Sequence, residues 1–268
     1  MLRDKLMHHE PVDGFRWRSH EITRVEGFSD AVFGFAVTLL IVSLEVPRTS
    51  AELLETMRGF GAFVVTFMIL AGMWYAQFTY FRRYGLEDRM TVILNLILLF
   101  TVLFFVYPLK FLFSLLITDP LMKGTIQTAH GLERVVLPEH KPWIFAIFAM
   151  GFVAVFTVFS LLYRHAYKQR EKLALNEFEI YETQHSIRRQ SLSIVVGVCY
   201  FGLAFLNALP KETREQRHRV VYAAVGMMVV FIAIMVMMFR LLAERRRMRK
   251  EWTARNQAPP PPPPIDLE

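Results

Sequence analysis

Residues 24–44 read Arg24-Val25-Glu26-Gly27-Phe28-Ser29-Asp30-Ala31-Val32-Phe33-Gly34-Phe35-Ala36-Val37-Thr38-Leu39-Leu40-Ile41-Val42-Ser43-Leu44. A cluster of charges and a hydroxyl runs directly into an apolar stretch of membrane length. Ionisable groups at membrane depth face protein or water rather than lipid, and they mark function by default. The first apolar segment is therefore the place to look for a pathway.

The rest of the chain repeats the apolar pattern. Of 268 residues, 54% are hydrophobic and 24 are Phe, which is too apolar for a soluble domain of this size. A membrane-spanning helix needs about 20 apolar residues. Six segments qualify: 27–46, 57–80, 90–116, 143–163, 191–209 and 219–242. The runs are continuous rather than short and alternating, so the expectation is an all-α polytopic protein and not a β-barrel. Pro108 and Lys110 interrupt the third run. A span ending near Pro108 with a short amphipathic continuation is expected there, because an internal proline removes a helix hydrogen bond. No cleavable signal peptide is expected, since the first apolar run is too long for one.

Charge placement sets the orientation. Of 31 Lys and Arg, 21 fall before residue 27, in 81–89, in 164–190 and from Arg240 onward, against nine in the alternate segments. The positive-inside rule then puts both termini in the cytoplasm. Three regions follow: a cytoplasmic tail 1–25, a six-span unit 26–245, and a basic then Pro-rich tail 246–268. The basic run 245–250 reads as a lipid-headgroup flank rather than a nucleic-acid site. Residues 164–190 lack Gly and Pro and read as helix reaching out of the membrane, the stem of a hairpin. The outer loop 119–142 carries Asp119-Pro120, Gly124, Gly131 and Pro138, and the six prolines 259–264 favour an extended tail. Cys199 is the sole cysteine, so no intrachain disulfide forms. His8-His9 cannot share a helix face, and no metal site is expected.

A helical wheel sorts the first segment. At about 100° per residue, Phe28, Ala31, Val32, Phe35, Leu39, Val42 and Val46 fall within roughly 60° of Phe35. Arg24 ends the same stripe on the cytoplasmic side. Ser29 at about +120° and Asp30 at about −140° point away from it, toward neighbouring helices. A carboxylate placed there needs donors, and Trp74, Gln77 and Asn95 in the next two spans are the candidates. The stripe itself can face lipid, core or an oligomer axis.

Arg24-x-x-x-Phe28-Ser29-Asp30, then Ala31 to Leu40 and a close at Val46-Pro47, resembles the first-helix signature of the transmembrane protein 175 family of lysosomal and prokaryotic potassium channels. The likeness extends more loosely to Trp74, Asn95-Leu96 and Pro108. A single six-span unit resembles the prokaryotic form, which implies a homotetramer in the plasma (inner) membrane. It also implies that the first helix lines a central pore for potassium ions. By motif position the constriction falls at Phe35, Leu39 and Val42, which coincide with the stripe, and Thr38 beside it is the selectivity candidate. No cofactor beyond the permeant ion is implied. The chain also departs from the pattern. Phe35 stands where a smaller Ile or Leu is usual, Ser43 replaces a late acidic residue with Glu45 nearby as an outer-mouth candidate, and Gln77 replaces a histidine. A Thr-Val-Gly-Tyr-Gly filter is absent, and no span carries Arg at every third position. An apolar ring supplies no oxygens to replace an ion's water, so selectivity is expected to be modest.

Two other classes compete. A secondary transporter would use Asp30 as its protonatable site, but the motif occurs once and no inverted repeat is visible. A non-conducting structural membrane protein would have Phe35 sealing the axis. An enzyme fits least, because Ser29 and Asp30 have no nearby histidine. His130, Glu133, Glu139 and His140 are isolated loop residues.

Overall fold

The computed structural model describes residues 15–19, 21–42, 49–122, 125–128, 131–134 and 141–208, with 240, 243–244, 246–252 and 254 near the C-terminus. Among the described residues five long helices are present: α1 (Arg24–Val42), α2 (Ser50–Tyr84), α3 (Arg89–Met122), α4 (Lys141–Lys168) and α5 (Glu177–Ala208). Three contain stretches long and apolar enough to cross a membrane: Phe60–Tyr84, Arg89–Phe113 and Trp143–Lys168. The expected first and fifth spans fall on α1 and α5. The expected sixth span (apart from Arg240), His8-His9 and the proline tail lie outside the described residues.

Two expectations need correction. The third helix does not stop at Pro108; α3 runs unbroken to Met122. A proline deletes one backbone donor, and neighbouring helices in a membrane protein absorb that loss without ending the helix. The expected loop 119–142 also starts later, since its residues up to Met122 belong to α3. Strands β1 (Thr125–Thr128) and β2 (Gly131–Arg134) pair antiparallel as a hairpin. Four-residue strands sit below the length at which alternation can be read from sequence.

Local signals explain the helix ends. Thr23 and Glu26 form a reciprocal capping box at α1: the Glu26 amide donates to Thr23 Oγ1 and the Thr23 amide to Glu26 Oε2. Gly85, at φ +57°, ends α2 in the left-handed conformation that glycine adopts freely. Asn176 and Glu179 repeat the capping box at α5. The α4–α5 turn has no glycine to offer, and Ala174 takes the left-handed conformation at φ +45°.

Packing follows chain order. α1 lies against α2 and α3, α3 against α4, and α4 against α5. The core is one continuous cluster, from Phe33, Ala36 and Leu40 of α1 to an aromatic knot of Tyr80, Phe81, Tyr84 and Tyr163. Gly151 of α4 sits beneath the Phe105 ring, where an added Cβ would lie 2.2 Å from the ring carbons. The helices cross closely there because glycine has no side chain to keep them apart.

Candidate pore helix and its polar seam

The buried side of α1 is partly polar. Glu26, Ser29, Phe33, Ala36 and Leu40 are all buried. The Ser29 hydroxyl donates to the Val25 carbonyl at 2.7 Å and accepts from Asn95 Nδ2 at 2.8 Å. Asn95 Oδ1 in turn accepts from Gln77 Nε2 at 2.5 Å. Each of the three side chains comes from a different helix, and all are buried. A wrong register of α1, α2 or α3 would strand at least one of them, and a buried polar group left unpaired costs about 1–3 kcal/mol.

Asp30 behaves differently from Ser29. Its Oδ1 accepts from Trp74 Nε1 at 2.7 Å, yet the carboxylate remains exposed. Geometry on the wheel put Ser29 and Asp30 together facing neighbouring helices; the chain buries only Ser29 and leaves Asp30 at the rim of the open face. Trp74 stacks on Phe78, whose edge meets Trp17 and whose face lies under the Arg82 guanidinium.

The opposite side of α1 is apolar and open. Phe28, Ala31, Phe35, Thr38 and Leu39 are exposed, Phe35 at 58%. Gly27 and Gly34, also on this side, have nothing within 4 Å of a Cβ position. Thr38 donates its hydroxyl proton to the Gly34 carbonyl at 2.9 Å. Its remaining lone pairs are therefore the part it presents outward. Arg24 is exposed at the helix start. Val42 ends the helix, and its side chain and Glu45 lie outside the described residues.

A second cluster, whose long-range pairing no sequence pattern marks, lies where Arg16 and Arg18, just ahead of α1, meet Glu179 of α5. Glu179 is fully buried and receives Arg16 Nε at 3.1 Å, Arg16 Nη2 at 3.0 Å and Arg18 Nη2 at 2.7 Å. The Arg16 and Asn176 amides also donate to it. Burial alone would raise the carboxyl; these donors outweigh it and hold the pKa down to about 2. Arg16 is correspondingly raised, chiefly by its hydrogen bonds to Glu179. Nearby, Asp88 bridges the α2–α3 turn to His165 of α4 at 2.7 Å and accepts from Thr91. Its burial pushes the carboxyl up, and the bonds from Thr91 and His165 bring it below its ordinary value. Only the capping boxes, Thr23-x-x-Glu26 and Asn176-x-x-Glu179, left a readable trace in sequence. Nothing local marks Arg16 and Arg18 as partners of a residue some 160 positions away.

Among the described residues, no group of three or more His, Cys, Asp or Glu is placed to hold a metal. A helix that turns polar atoms toward its own chain and leaves large apolar side chains uncovered belongs to an integral membrane protein. Its first helix still awaits a partner or an apolar solvent. A family model described as the endosomal/lysosomal potassium channel TMEM175 matches residues 24–105. A protein of Marivirga tractuosa named "Potassium channel" is 39% identical over 175 residues, 65% of this chain and 70% of that one. Potassium channel Cha6605_3372 of Chamaesiphon minutus is 25% identical over 195 residues, 70% of this chain and 86% of that one. The crystal structure of a variant of the potassium channel MtTMEM175, complexed with a nanobody-MBP fusion, superposes with a TM-score of 0.69. It is 30% identical, and the match covers 86% of this chain and 97% of that one. The chain belongs to the TMEM175 family, an ion-channel family and not an enzyme class.

Proposed function

We propose that the protein is a passive potassium channel, a homotetramer whose central path is lined by the open face of α1. The observation that carries this reading is the exposure of Phe35 and Leu39 on a helix whose other side is fully packed. In a four-fold ring, the open arc of α1 can serve two needs. Its centre, with Phe35, Leu39 and Val42, turns to the axis. Its flank, with Gly27 and Gly34, lets a neighbouring copy approach. Four phenyl rings at one level form a constriction that can dewet and so gate the path. Thr38 presents oxygen lone pairs one turn from the rings and supplies a modest preference for potassium, with Glu45 at the outer mouth.

Six spans and cytoplasmic termini fit the placement of the basic segments. Residues 16–18, Arg82 and Arg83, and the α4–α5 turn meet at one end of the molecule. Trp252 stacks on Phe178 at that same end. α5 leaves this end, so a return crossing at 219–242 brings the C-terminal tail back. Excess positive charge at this end supports a cytoplasmic placement, and likeness to the prokaryotic form supports an inner membrane.

The test is potassium flux from liposomes holding the purified protein, against sodium-only and Phe35→Ala controls. Potassium-preferring flux, raised in Phe35→Ala, is the expected result. Silence in both proteins, reconstituted as tetramers, would defeat the channel reading.

A further inference from the structure

The segment Phe15–Ser19 is not a free tail. Phe15 is buried, with its ring edge-on to Tyr84 and its face beneath the Arg83 guanidinium at 4.9 Å. The Arg18 and Ser19 amides donate to the Arg82 carbonyl, and Arg82 Nη1 donates back to the Ser19 carbonyl. The backbone of Arg18 and Ser19 passes 3.4 Å from the Cβ position of Gly85, an ordinary contact distance, and the φ of +57° is what favours glycine there. On its other side the segment is tied to the α4–α5 turn. Arg16 donates to the Ala174 carbonyl, Arg18 to the Leu173 carbonyl, and both grip Glu179. Glu179 is at once the capping residue of α5 and the hub of this clamp.

Its position is what gives the clamp consequence. α1 packs on α2 and α3, while α5 packs on α4. The segment is thus a strap that joins the α4–α5 turn directly to the start of α1, beside the longer routes through α2 and α3. Only residues 20–23 separate the strap from the first turn of α1, a reach of at most about 14 Å even when fully extended. That reach is shortened by the Ser19 hydroxyl donating to the Glu21 carbonyl and by the Thr23–Glu26 capping box. The start of α1 cannot move far unless the strap moves with it.

We propose that the strap Phe15–Ser19, clamped by Glu179, is a positioning element that holds the cytoplasmic end of α1 away from the pore axis and so favours the open channel. This rests on the reading of α1 as the pore helix. With the anchor released, the apolar faces of four α1 helices close on one another and the path dewets. Glu179 touches no permeating ion and acts through Arg16 and Arg18.

The experiment is single-channel recording of the full-length protein in planar bilayers. Two variants loosen the strap by different routes. Glu179→Gln removes the charge that both arginines hold. Insertion of three glycines after residue 20 leaves the strap's contacts with α2, α5 and the α4–α5 turn intact and lengthens the link to α1. Leu39→Ala is the pore control. Open probability should fall by about tenfold in Glu179→Gln, the scale of losing a charge-assisted hydrogen bond, and should fall in the insertion variant too, with unitary conductance and ion preference unchanged in both. Leu39→Ala should alter unitary conductance instead. An unchanged or raised open probability in the insertion variant, alongside altered conductance in Leu39→Ala, overturns the strap proposal and leaves the pore reading standing. Unaltered conductance in Leu39→Ala overturns the pore reading and the strap proposal with it. If Glu179→Gln does not fold, the insertion variant decides alone.

Discussion

The two faces of α1 invert the usual order of a globular helix. Toward the chain interior lie Ser29, hydrogen-bonded to Asn95 and through it to Gln77, and Glu26 in its capping box. Toward the outside lie Phe28, Phe35 and Leu39. In water the outer face would drive aggregation. In a bilayer, lipid tails solvate apolar side chains as well as protein does, so burial of apolar surface between helices gives little preference for one arrangement. Directional polar contacts then carry the specificity. The inner face says how α1 is fixed in its own chain; the outer face says what it is free to do.

That contrast is tested hardest at Asn95. Asn95→Leu keeps the volume but leaves the Ser29 hydroxyl without its donor and the Gln77 amide without its acceptor. The expected loss is on the order of 2 kcal/mol, chiefly the unpaired Gln77 amide, since the Ser29 hydroxyl keeps its bond to the Val25 carbonyl. Thermal melting in detergent reads it. A melting temperature equal to wild type would mean that the polar seam does not fix the helices, and the comparison between the faces would collapse.

The next effect is a pH profile of the cytoplasmic clamp. Glu179 is held down to about 2 from an ordinary 4.5, and Asp88 is also lowered. A carboxyl with a depressed folded-state pKa stabilises the fold at pH above its ordinary value and loses that contribution as pH falls toward the folded value. Stability should therefore be level from pH 7 down to about 5 and drop below pH 4.5. Glu179→Gln should start lower and show a shallower acid limb. An identical limb in Glu179→Gln would move the acid sensitivity elsewhere.

The fold was legible in sequence wherever it depends on hydropathy and charge alone. The apolar runs gave the helices, and the wheel separated Ser29 from Phe35 because a 3.6-residue period is all that step needs. The donors Trp74, Gln77 and Asn95 could be named because few polar side chains occur in the adjacent spans. Other features depend on long-range contact and left no pattern. Arg16 and Arg18 look like any basic tail until Glu179 is placed beside them. Pro108 looked like an end because propensity rules are calibrated on isolated helices, whereas α3 is held on both sides by its neighbours. Asp30 finds its donor in Trp74, one of the three side chains named for it, yet stays exposed. A carboxylate needs a donor, but a single indole N–H at the rim supplies one without burial.

A smaller effect should come from the α4–α5 turn. Ala174 holds φ +45°, which costs an alanine about 1 kcal/mol relative to glycine. Ala174→Gly relieves that strain, while the greater freedom of glycine in the unfolded chain offsets part of the gain. A net stabilisation of about 0.5 kcal/mol is expected. The Ala174 carbonyl still accepts from Arg16 after the change. A destabilised variant would show that the alanine methyl packs usefully and that strain is not the governing quantity there.

The smallest expected change in stability is at Phe35, and it sharpens the comparison most. Asn95→Leu alters a residue that the chain itself needs; Phe35→Ala alters one that it leaves uncovered. At 58% exposure, the ring contributes little to the packing of its own subunit. Melting of the detergent-solubilised protein should shift by no more than the equivalent of about 0.5 kcal/mol, the range of surface substitutions, although flux through the same variant rises. A large loss of stability would place Phe35 in a structural contact between copies rather than at an open constriction. A small loss with raised flux would assign the outer face to conduction and the inner face to architecture.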